Sequence, residues 1–189
     1  MHSPFAYTLC EEVFYNNNPF YRFVQLNKVR QQLLRDETEL DIEDFGAGSK
    51  ALNSRRRKVS DIARYGISSQ QQSEVLYRLV NYLNPKACLE LGTSLGLNTL
   101  YLASVNSAIQ VTTIEGSSSL CNYAKELAKR NKYPTIEFVN ARFDAVLEEL
   151  VQKTQFEFVY VDGNHTYEAT VAYFNCLLHH QQNNTVILF

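Results

Sequence analysis

Residues 86–103 read KACLELGTSLGLNTLYLA, and this stretch decides the fold. A short apolar run contains an acid, Glu90, and a turn with Gly92 and Gly96 follows it. From Leu97 onward the apolar residues have helical spacing. Strand, tight turn and helix in this order form the first unit of a nucleotide-binding α/β sheet. The glycines let the backbone approach a ligand closely, and the start of the helix offers unpaired N–H groups.

The acid in front of this turn indicates the kind of ligand. A carboxylate at Glu90 would repel a pyrophosphate and attract a cationic amino group. The sequence therefore predicts an adenosine ligand that carries an amino acid, which is S-adenosylmethionine (SAM). A nicotinamide dehydrogenase is a weaker alternative, because Ser94 and Leu97 stand where Gly-x-Gly-x-x-Gly needs its second and third glycines.

Composition excludes several classes of protein. The chain has 189 residues, with 18 basic and 20 acidic side chains, so no overall field favours nucleic acid or an acidic membrane. No apolar run approaches the roughly 20 residues of a membrane span. The four cysteines are scattered without a Cys-x-x-Cys pair, and the first eight residues do not have the pattern of a secretion signal. We therefore expect reduced thiols in a cytoplasmic protein, with no nucleic acid and no membrane as partner.

Predicted strands and helices alternate from residue 73 onward. The strands are expected at 87–91, 109–114, 135–139, 156–161 and 185–189, and the helices at 74–83, 97–104, 118–131, 144–153 and 167–180. This order predicts an α/β fold with a parallel, doubly wound, Rossmann-like sheet. We expect residues 1–65 to form a helical N-terminal or lid extension and residues 66–189 to form the core.

The N-terminal extension has weaker patterns. Residues 20–34 have the spacing of an amphipathic helix, and the acidic stretch 36–44 is expected to be a loop. The acid-plus-glycine segment 44–48 follows no buried strand, which favours a loop over a second ligand turn. The basic run 55–58 is interpreted as a solvated face, with an anion-holding role for it as the lesser alternative.

Polar residues follow two further strands. Glu115 and Gly116 come after the second strand, and Glu115 lies 19 residues after Gly96, where an acid accepts ribose hydroxyls. The alternative is an exposed acid in a turn. Asp162 follows the fourth strand and suits a divalent cation or a substrate hydroxyl, while His165 suits proton transfer near neutral pH. Alternatively, Asp162 caps the turn and His165 packs over it.

Three motifs together resemble the class I SAM-dependent methyltransferases. They are residues 89–96, 113–116 and 161–168, and the resemblance covers about residues 60–189. It is closest to the catechol and caffeoyl-coenzyme A O-methyltransferases, especially bacterial ones with an Asp-Gly-Asp/Asn-His-x-Tyr-Glu motif.

The resemblance implies a set of cofactor-binding positions: Glu90, Gly92, Thr93, Ser94, Gly96, Asn98, Glu115, Gly116, Ala141, Arg142 and Asp162. By this resemblance, Glu90 lies near the methionine amino group and Asn98 near its carboxylate. Glu115 would bind the ribose, and Ala141 and Arg142 would meet the adenine edge. Arg142 departs from the acid or amide that relatives often have there.

The resemblance also implies the activity, which is methyl transfer from SAM to a small-molecule acceptor, through a hydroxyl oxygen. Asp162, alone or with a divalent cation such as Mg²⁺, would lower the pKa of the hydroxyl, and His165 would take its proton. Segment 64–69 would close over the cofactor. The alternative is a non-catalytic methyltransferase-like binding module or a truncated remnant.

The end of the chain departs from the resemblance. The family core has seven strands, whereas the predicted strands here end at the fifth, so we expect a truncated form. A natural protein of this length would need a partner to cover the apolar outer strand, and a homodimer is one such arrangement.

Overall fold

The computed structural model describes residues 3–43, 55–180 and 185–189. In these ranges, N-terminal helices and a two-stranded ribbon precede a five-stranded sheet. The elements in chain order are α1 (Pro4–Leu9), a π-helical stretch (Cys10–Phe14), α2 (Tyr21–Leu33), β1 (Glu39–Asp41), β2 (Arg56–Lys58), α3 (Val59–Tyr65), α4 (Gln70–Leu83), β3 (Ala87–Leu91), α5 (Leu97–Ser104), β4 (Gln110–Glu115), α6 (Ser118–Arg130), β5 (Ile136–Asn140), α7 (Phe143–Lys153), β6 (Phe158–Val161), α8 (Tyr167–His180) and β7 (Val186–Leu188).

The five-stranded sheet is parallel, with the order β5-β4-β3-β6-β7. The chain enters this sheet at the central strand β3 and adds β4 and β5 on one side of it. It then crosses to the other side of β3, where β6 and β7 follow. This is the doubly wound Rossmann-like fold that the alternation of elements predicts, so the predicted fold class is confirmed. Leu91 at the end of β3 lies opposite Ile114 of β4 and Val161 of β6. The carboxyl ends of these three strands therefore meet at the switch point where such sheets bind ligands.

The N-terminal helix α2 packs onto the helices that flank the start of the sheet. Its Phe23 and Leu26 share one buried cluster with Tyr77 of α4 and with Leu100 and Tyr101 of α5. The Phe23 and Tyr77 rings meet edge to face, with centroids 5.1 Å apart. Burying such side chains stabilises the fold by roughly 1.5–3 kcal/mol each. Helix α2 therefore supports α5, which begins at the glycine turn, while the domain division after residue 65 stays a prediction.

The ribbon of β1 and β2 differs from expectation. The sequence predicts a loop over the acidic stretch 36–44, yet its central part forms β1, which pairs antiparallel with β2. Opposite charges flank this pairing, since Arg55 contacts Asp41 at 2.6 Å and Lys58 contacts Glu37 at 2.6 Å. The acidic and basic runs therefore complement each other, which a reading of either run alone does not reveal. The expected loop 44–48 lies outside the described residues.

Helix α4 begins four residues before its predicted start at Glu74. The reason is a capping box: the Ser69 hydroxyl accepts from the Gln72 N–H at 3.3 Å, and the Gln72 side chain accepts from the Ser69 N–H at 2.8 Å. Among the described helices, none has both the length and the hydrophobicity needed to cross a lipid bilayer.

Candidate functional site

The turn between β3 and α5 is held tightly against its neighbours. Gly92 has φ +107°, and a Cβ atom there would lie 2.3 Å from the carbonyl oxygen of Asp162. The Gly92 N–H donates to the carbonyl of Ile114 at 3.0 Å. Gly96 has φ +81° and packs against Ala124 of α6, which a Cβ atom would approach to 2.9 Å. Only glycine fits this geometry without strain, and the tight packing brings Asp162 beside the turn.

Glu115, the last residue of β4, is anchored by two backbone donors. Its carboxylate accepts from the N–H groups of Ser94 and Ser117, each at 2.9 Å. These hydrogen bonds fix the carboxylate at a cavity of about 210 Å³ beside the turn. The cavity is lined by Ile42, Glu43, Arg57, Gly92, Ser94, Glu115, Gly116, Leu120, Arg142, Phe143, Asp144, Asp162, Gly163, Asn164 and Tyr173.

A second cavity, of about 270 Å³, adjoins the first and shares Gly92, Ser94 and Asp162 with it. It is lined by Gly66, Ile67, Ser68, Gln72, Gly92, Thr93, Ser94, Leu97, Asn98, Asp162 and His165. The structure thus gathers most of the predicted cofactor residues around two adjoining cavities. Part of segment 64–69 lies at the second cavity, where the resemblance implies a lid.

Asp162 lies where these cavities meet a third one. The third cavity, of about 440 Å³, is lined by Phe14, Ser68, Gln71, Gln72, Val75, Leu76, Tyr160, Val161, Asp162, His165, Leu188 and Phe189. Tyr160 donates its hydroxyl to Asp162 Oδ2 at 2.8 Å, and His165 Nε2 lies 3.8 Å from Asp162 Oδ1. Burial, reinforced by the charge of Asp162, raises the pKa of Tyr160, so its phenol remains a hydrogen-bond donor.

Glu90 is enclosed, unlike the predicted residues that line the cavities. Its side chain is fully buried, and its Oε2 accepts from the hydroxyls of Thr99 at 2.5 Å and Thr113 at 2.6 Å. Burial raises the pKa of Glu90 to about 8 despite these hydrogen bonds, so the carboxyl is mostly protonated at neutral pH. The predicted contact of Glu90 with an amino group stays a prediction. Asp162, with its side chain 33% exposed, is a carboxylate that does face the cavities.

The loop after β5 lies beside Glu115 and the first cavity. The Ala141 N–H donates to the Glu115 carbonyl at 3.1 Å. Arg142 lines the first cavity and pairs with Asp144, with Nη2 and Oδ2 2.7 Å apart. Its predicted contact with an adenine edge stays a prediction.

Sequence reasoning missed several lining residues of the first cavity. Phe143 starts α7 at the carboxyl edge of the sheet, and its ring meets that of Tyr173 with centroids 5.7 Å apart. Its place three residues after the end of the third sheet strand, β5, is a usable signal. Ile42, directly after β1, and Arg57 of β2 also line this cavity; Arg57 lies in the basic run, whereas no motif marks Ile42.

The metal prediction finds little support in these side chains. Across residues 3–43, 55–180 and 185–189, no three His, Cys, Asp or Glu residues come together as a metal-ligand set. Asp162 supplies one carboxylate, with His165 as its nearest candidate partner. These residues do not by themselves fit a divalent cation, and the predicted Mg²⁺ stays a prediction.

Fold and site together define a doubly wound α/β protein with an acid at the carboxyl end of each of the two strands that flank β3, Glu115 at β4 and Asp162 after β6. Residues 89–189, just over half of the chain, match the methyltransferase-domain family, and the chain belongs to it. It is therefore a methyltransferase by family. Among curated proteins, none matches the chain significantly.

Solved structures share the fold at low identity. The methyltransferase PaMTH1 of Podospora anserina, solved with bound S-adenosylhomocysteine (SAH), is 17% identical with a TM-score of 0.61, over 91% of this chain and 71% of that one. The O-methyltransferase TomG of Streptomyces achromogenes, involved in tomaymycin synthesis and solved with SAM, is 17% identical with a TM-score of 0.63, over 93% and 69%. A Bacillus cereus O-methyltransferase in complex with SAH is 18% identical with a TM-score of 0.58, over 96% and 69%.

Proposed function

We propose that this methyltransferase takes its methyl group from SAM and transfers it to a hydroxyl oxygen of a small molecule. The observation that carries the proposal is the convergence of the glycine turn, Glu115 and Asp162 on two adjoining cavities. An elongated ligand with a nucleoside at one end and an amino acid at the other suits two connected cavities with these polar groups. The SAM- and SAH-bound O-methyltransferases of the same fold support the choice of donor and acceptor atom by analogy.

The first cavity suits the nucleoside. Glu115, held by two backbone N–H groups, offers its carboxylate to the ribose hydroxyls. Gly116 and the Phe143 ring give part of the cavity wall an apolar surface that suits a purine. Thus one anchored acceptor and one apolar surface serve the two chemical parts of an adenosine.

The second cavity suits the amino-acid part. The carboxylate of Asp162 faces a cationic amino group, the role first expected of Glu90. The Asn98 amide, which also lines this cavity, offers N–H groups to a carboxylate. The two ends of a zwitterion thus meet groups of matching character.

The third cavity suits the methyl acceptor. Its walls are largely apolar, with amide groups from Gln71 and Gln72, so it fits a small molecule with an apolar body and a hydroxyl. When bound, SAM supplies a methyl group on a sulfonium that is already a good leaving group. The residues need to align the hydroxyl and remove its proton. Asp162 orients the hydroxyl, and His165, 72% exposed at the cavity mouth, takes the proton.

The proposal also includes a cytoplasmic location and a homodimer. The four cysteines are unpaired, which supports a reducing compartment. β7 is an outer strand of the described sheet, which suits pairing with a second copy.

Calorimetry with SAH tests the donor site. The wild-type chain is expected to bind, and Glu115→Gln to bind roughly tenfold or more weakly, because an amide NH₂ replaces one acceptor of the two backbone donors. Glu137→Gln on β5, whose side chain accepts from Thr112 at 3.2 Å, is the control and is expected to retain affinity. Failure of the wild-type chain to bind SAH would reject the proposal.

Transfer of the methyl group from labelled SAM to a panel of hydroxylated acceptors, with and without Mg²⁺, tests the proposed reaction. Binding without transfer would favour a binding module instead. With an acceptor that turns over, His165→Asn is expected to lower kcat by about 100-fold while SAH affinity stays within about twofold. Asp162→Asn is expected to lower both kcat and SAH affinity, by roughly tenfold or more. His180→Asn at the end of α8 is the control, and an unchanged kcat in His165→Asn would exclude that histidine as the base.

A further inference from the structure

A chain of hydrogen bonds runs from α2 to Asp162. Arg30, only 7% exposed, donates from Nη2 to the Ser73 hydroxyl at 2.9 Å. The Ser73 hydroxyl donates to Asn98 Oδ1 at 2.7 Å, and Asn98 Nδ2 donates to the Ser68 hydroxyl at 2.9 Å. The Ser68 hydroxyl in turn donates to Asp162 Oδ2 at 3.4 Å. Four links thus connect the N-terminal helix to the carboxylate at the junction of the cavities.

The two end groups of this hydrogen-bond chain, Arg30 and Asp162, fix the direction in which its members donate. A guanidinium has donors and no acceptor, whereas an ionised carboxylate has acceptors only. Ser73 must therefore accept from Arg30, which leaves its own hydrogen for Asn98 Oδ1. The Asn98 NH₂ then points toward Asp162, whose Oδ2 lies 3.5 Å away. A flipped amide would place two acceptor oxygens against each other at that distance, which is unfavourable.

We propose that Arg30 and Ser73 are positioning residues that hold the Asn98 amide with its NH₂ facing the second cavity. This inference rests on the proposed function, because the group that the NH₂ serves is the carboxylate of the amino-acid part of SAM. One N–H of Asn98 is used by Ser68, and the other has only long contacts, 3.4 Å to Tyr160 and 3.5 Å to Asp162. That second N–H is therefore available to a ligand.

Arg30 and Ser73 act on the ligand through Asn98. Ser73 is fully buried and belongs to α4, while Arg30 belongs to α2. Both precede residues 89–189, the segment that matches the methyltransferase-domain family. The orientation of a cofactor-site side chain is thus set from outside the matched segment.

The test compares two ligands that differ only in the amino-acid part. SAH carries it, whereas 5′-methylthioadenosine has the same nucleoside without it. Ser73→Ala is expected to lower SAH affinity roughly five- to tenfold and to leave methylthioadenosine affinity within about twofold. Ser73→Thr, which keeps the hydroxyl, is expected to restore the wild-type ratio of SAH affinity to methylthioadenosine affinity. A general loss of packing would weaken both ligands alike.

A double-mutant cycle tests whether Ser73 acts on the ligand through Asn98. Asn98→Ala is expected to lower SAH affinity about tenfold, and adding Ser73→Ala to it should cause no further loss, because the residue it orients is gone. Where Ser73→Ala melts too early for calorimetry, Arg30→Gln replaces it, since an amide no longer imposes a donor-only end, and the same shift in ratio is expected.

Two outcomes would overturn this inference and leave the proposed function standing. One is an equal loss of affinity for both ligands in Ser73→Ala, and the other is a loss of SAH affinity in the double variant that equals the sum of the two single losses. Both require a wild-type chain that binds SAH. A wild-type chain that binds methylthioadenosine and not SAH, or neither, contradicts the proposed donor and the inference with it.

Discussion

Replacing Gly92 by alanine is expected to abolish SAH binding and to lower the free energy of unfolding by about 3–5 kcal/mol. The φ of +107° is unfavourable for alanine, and its methyl carbon would lie 2.3 Å from the Asp162 carbonyl oxygen and 2.8 Å from its carbonyl carbon. Both atoms belong to the backbone and cannot rotate away. Relief requires β3 and the end of β6 to separate, which opens the junction of the cavities.

Urea unfolding at fixed pH, with SAH calorimetry, measures both effects. Gly66→Ala is the control for stability, because Gly66 has φ −121° and its Cβ would meet the nearest atom, the Ile62 carbonyl oxygen, at 3.2 Å. That variant is expected to lose less than about 1.5 kcal/mol. A Gly92→Ala protein that unfolds at the wild-type urea concentration and still binds SAH would contradict the geometry of the turn.

The position of this turn was predictable from local signals. The run from Ala87 to Leu91, the two glycines and the helical spacing after them specify strand, turn and helix without any tertiary information. The placement of Glu115 and Asp162 was also predictable, because each stands at the carboxyl end of an apolar strand and the carboxyl ends of parallel strands share one edge. Their convergence follows from strand order, which alternation and right-handed connections largely fix.

Glu90 shows why other parts of the site were not predictable. β3 is central and covered on both faces, so the alternation of side chains along it does not tell which face opens onto a ligand. The two hydroxyls that bind Glu90 come from Thr99 on α5 and Thr113 on β4, at sequence distances of 9 and 23 residues. Only the packing of those elements reveals that the carboxyl is enclosed.

The N-terminal contribution was hidden for a different reason. Arg30 occupies a buried place in α2 that a hydrophobic pattern assigns to solvent, and its partner Ser73 is 43 residues away. Ile42, directly after β1, and Arg57 of β2 reach the first cavity from a ribbon whose strands have three residues each, too short for any periodicity. Long-range polar pairing and very short strands leave no local pattern.

The pH dependence of stability provides the second large expected effect, through Glu90. Its pKa is raised by burial from 4.5 to about 8, with further upward contributions from Asp162 and Glu115. A raised folded-state pKa means that the wild-type protein has the full contribution of neutral Glu90 below about pH 4.5 and loses it as pH rises through about 8. Glu90→Gln does not titrate, so its stability relative to wild type should increase across this window by on the order of 3 kcal/mol.

The comparison needs urea unfolding of both proteins at several pH values between 5 and 8, because groups that titrate alike in both proteins cancel in the difference. The buried NH₂ of the glutamine introduces a constant penalty of about 1–3 kcal/mol, so the rise with pH is the diagnostic quantity. Asp144→Asn is the control, since pairing with Arg142 lowers the pKa of Asp144 below 3.8 and places its titration outside the window. A difference between Glu90→Gln and wild type that stays flat from pH 5 to 8 would mean that the carboxyl ionises freely, which its enclosure by Thr99 and Thr113 does not allow.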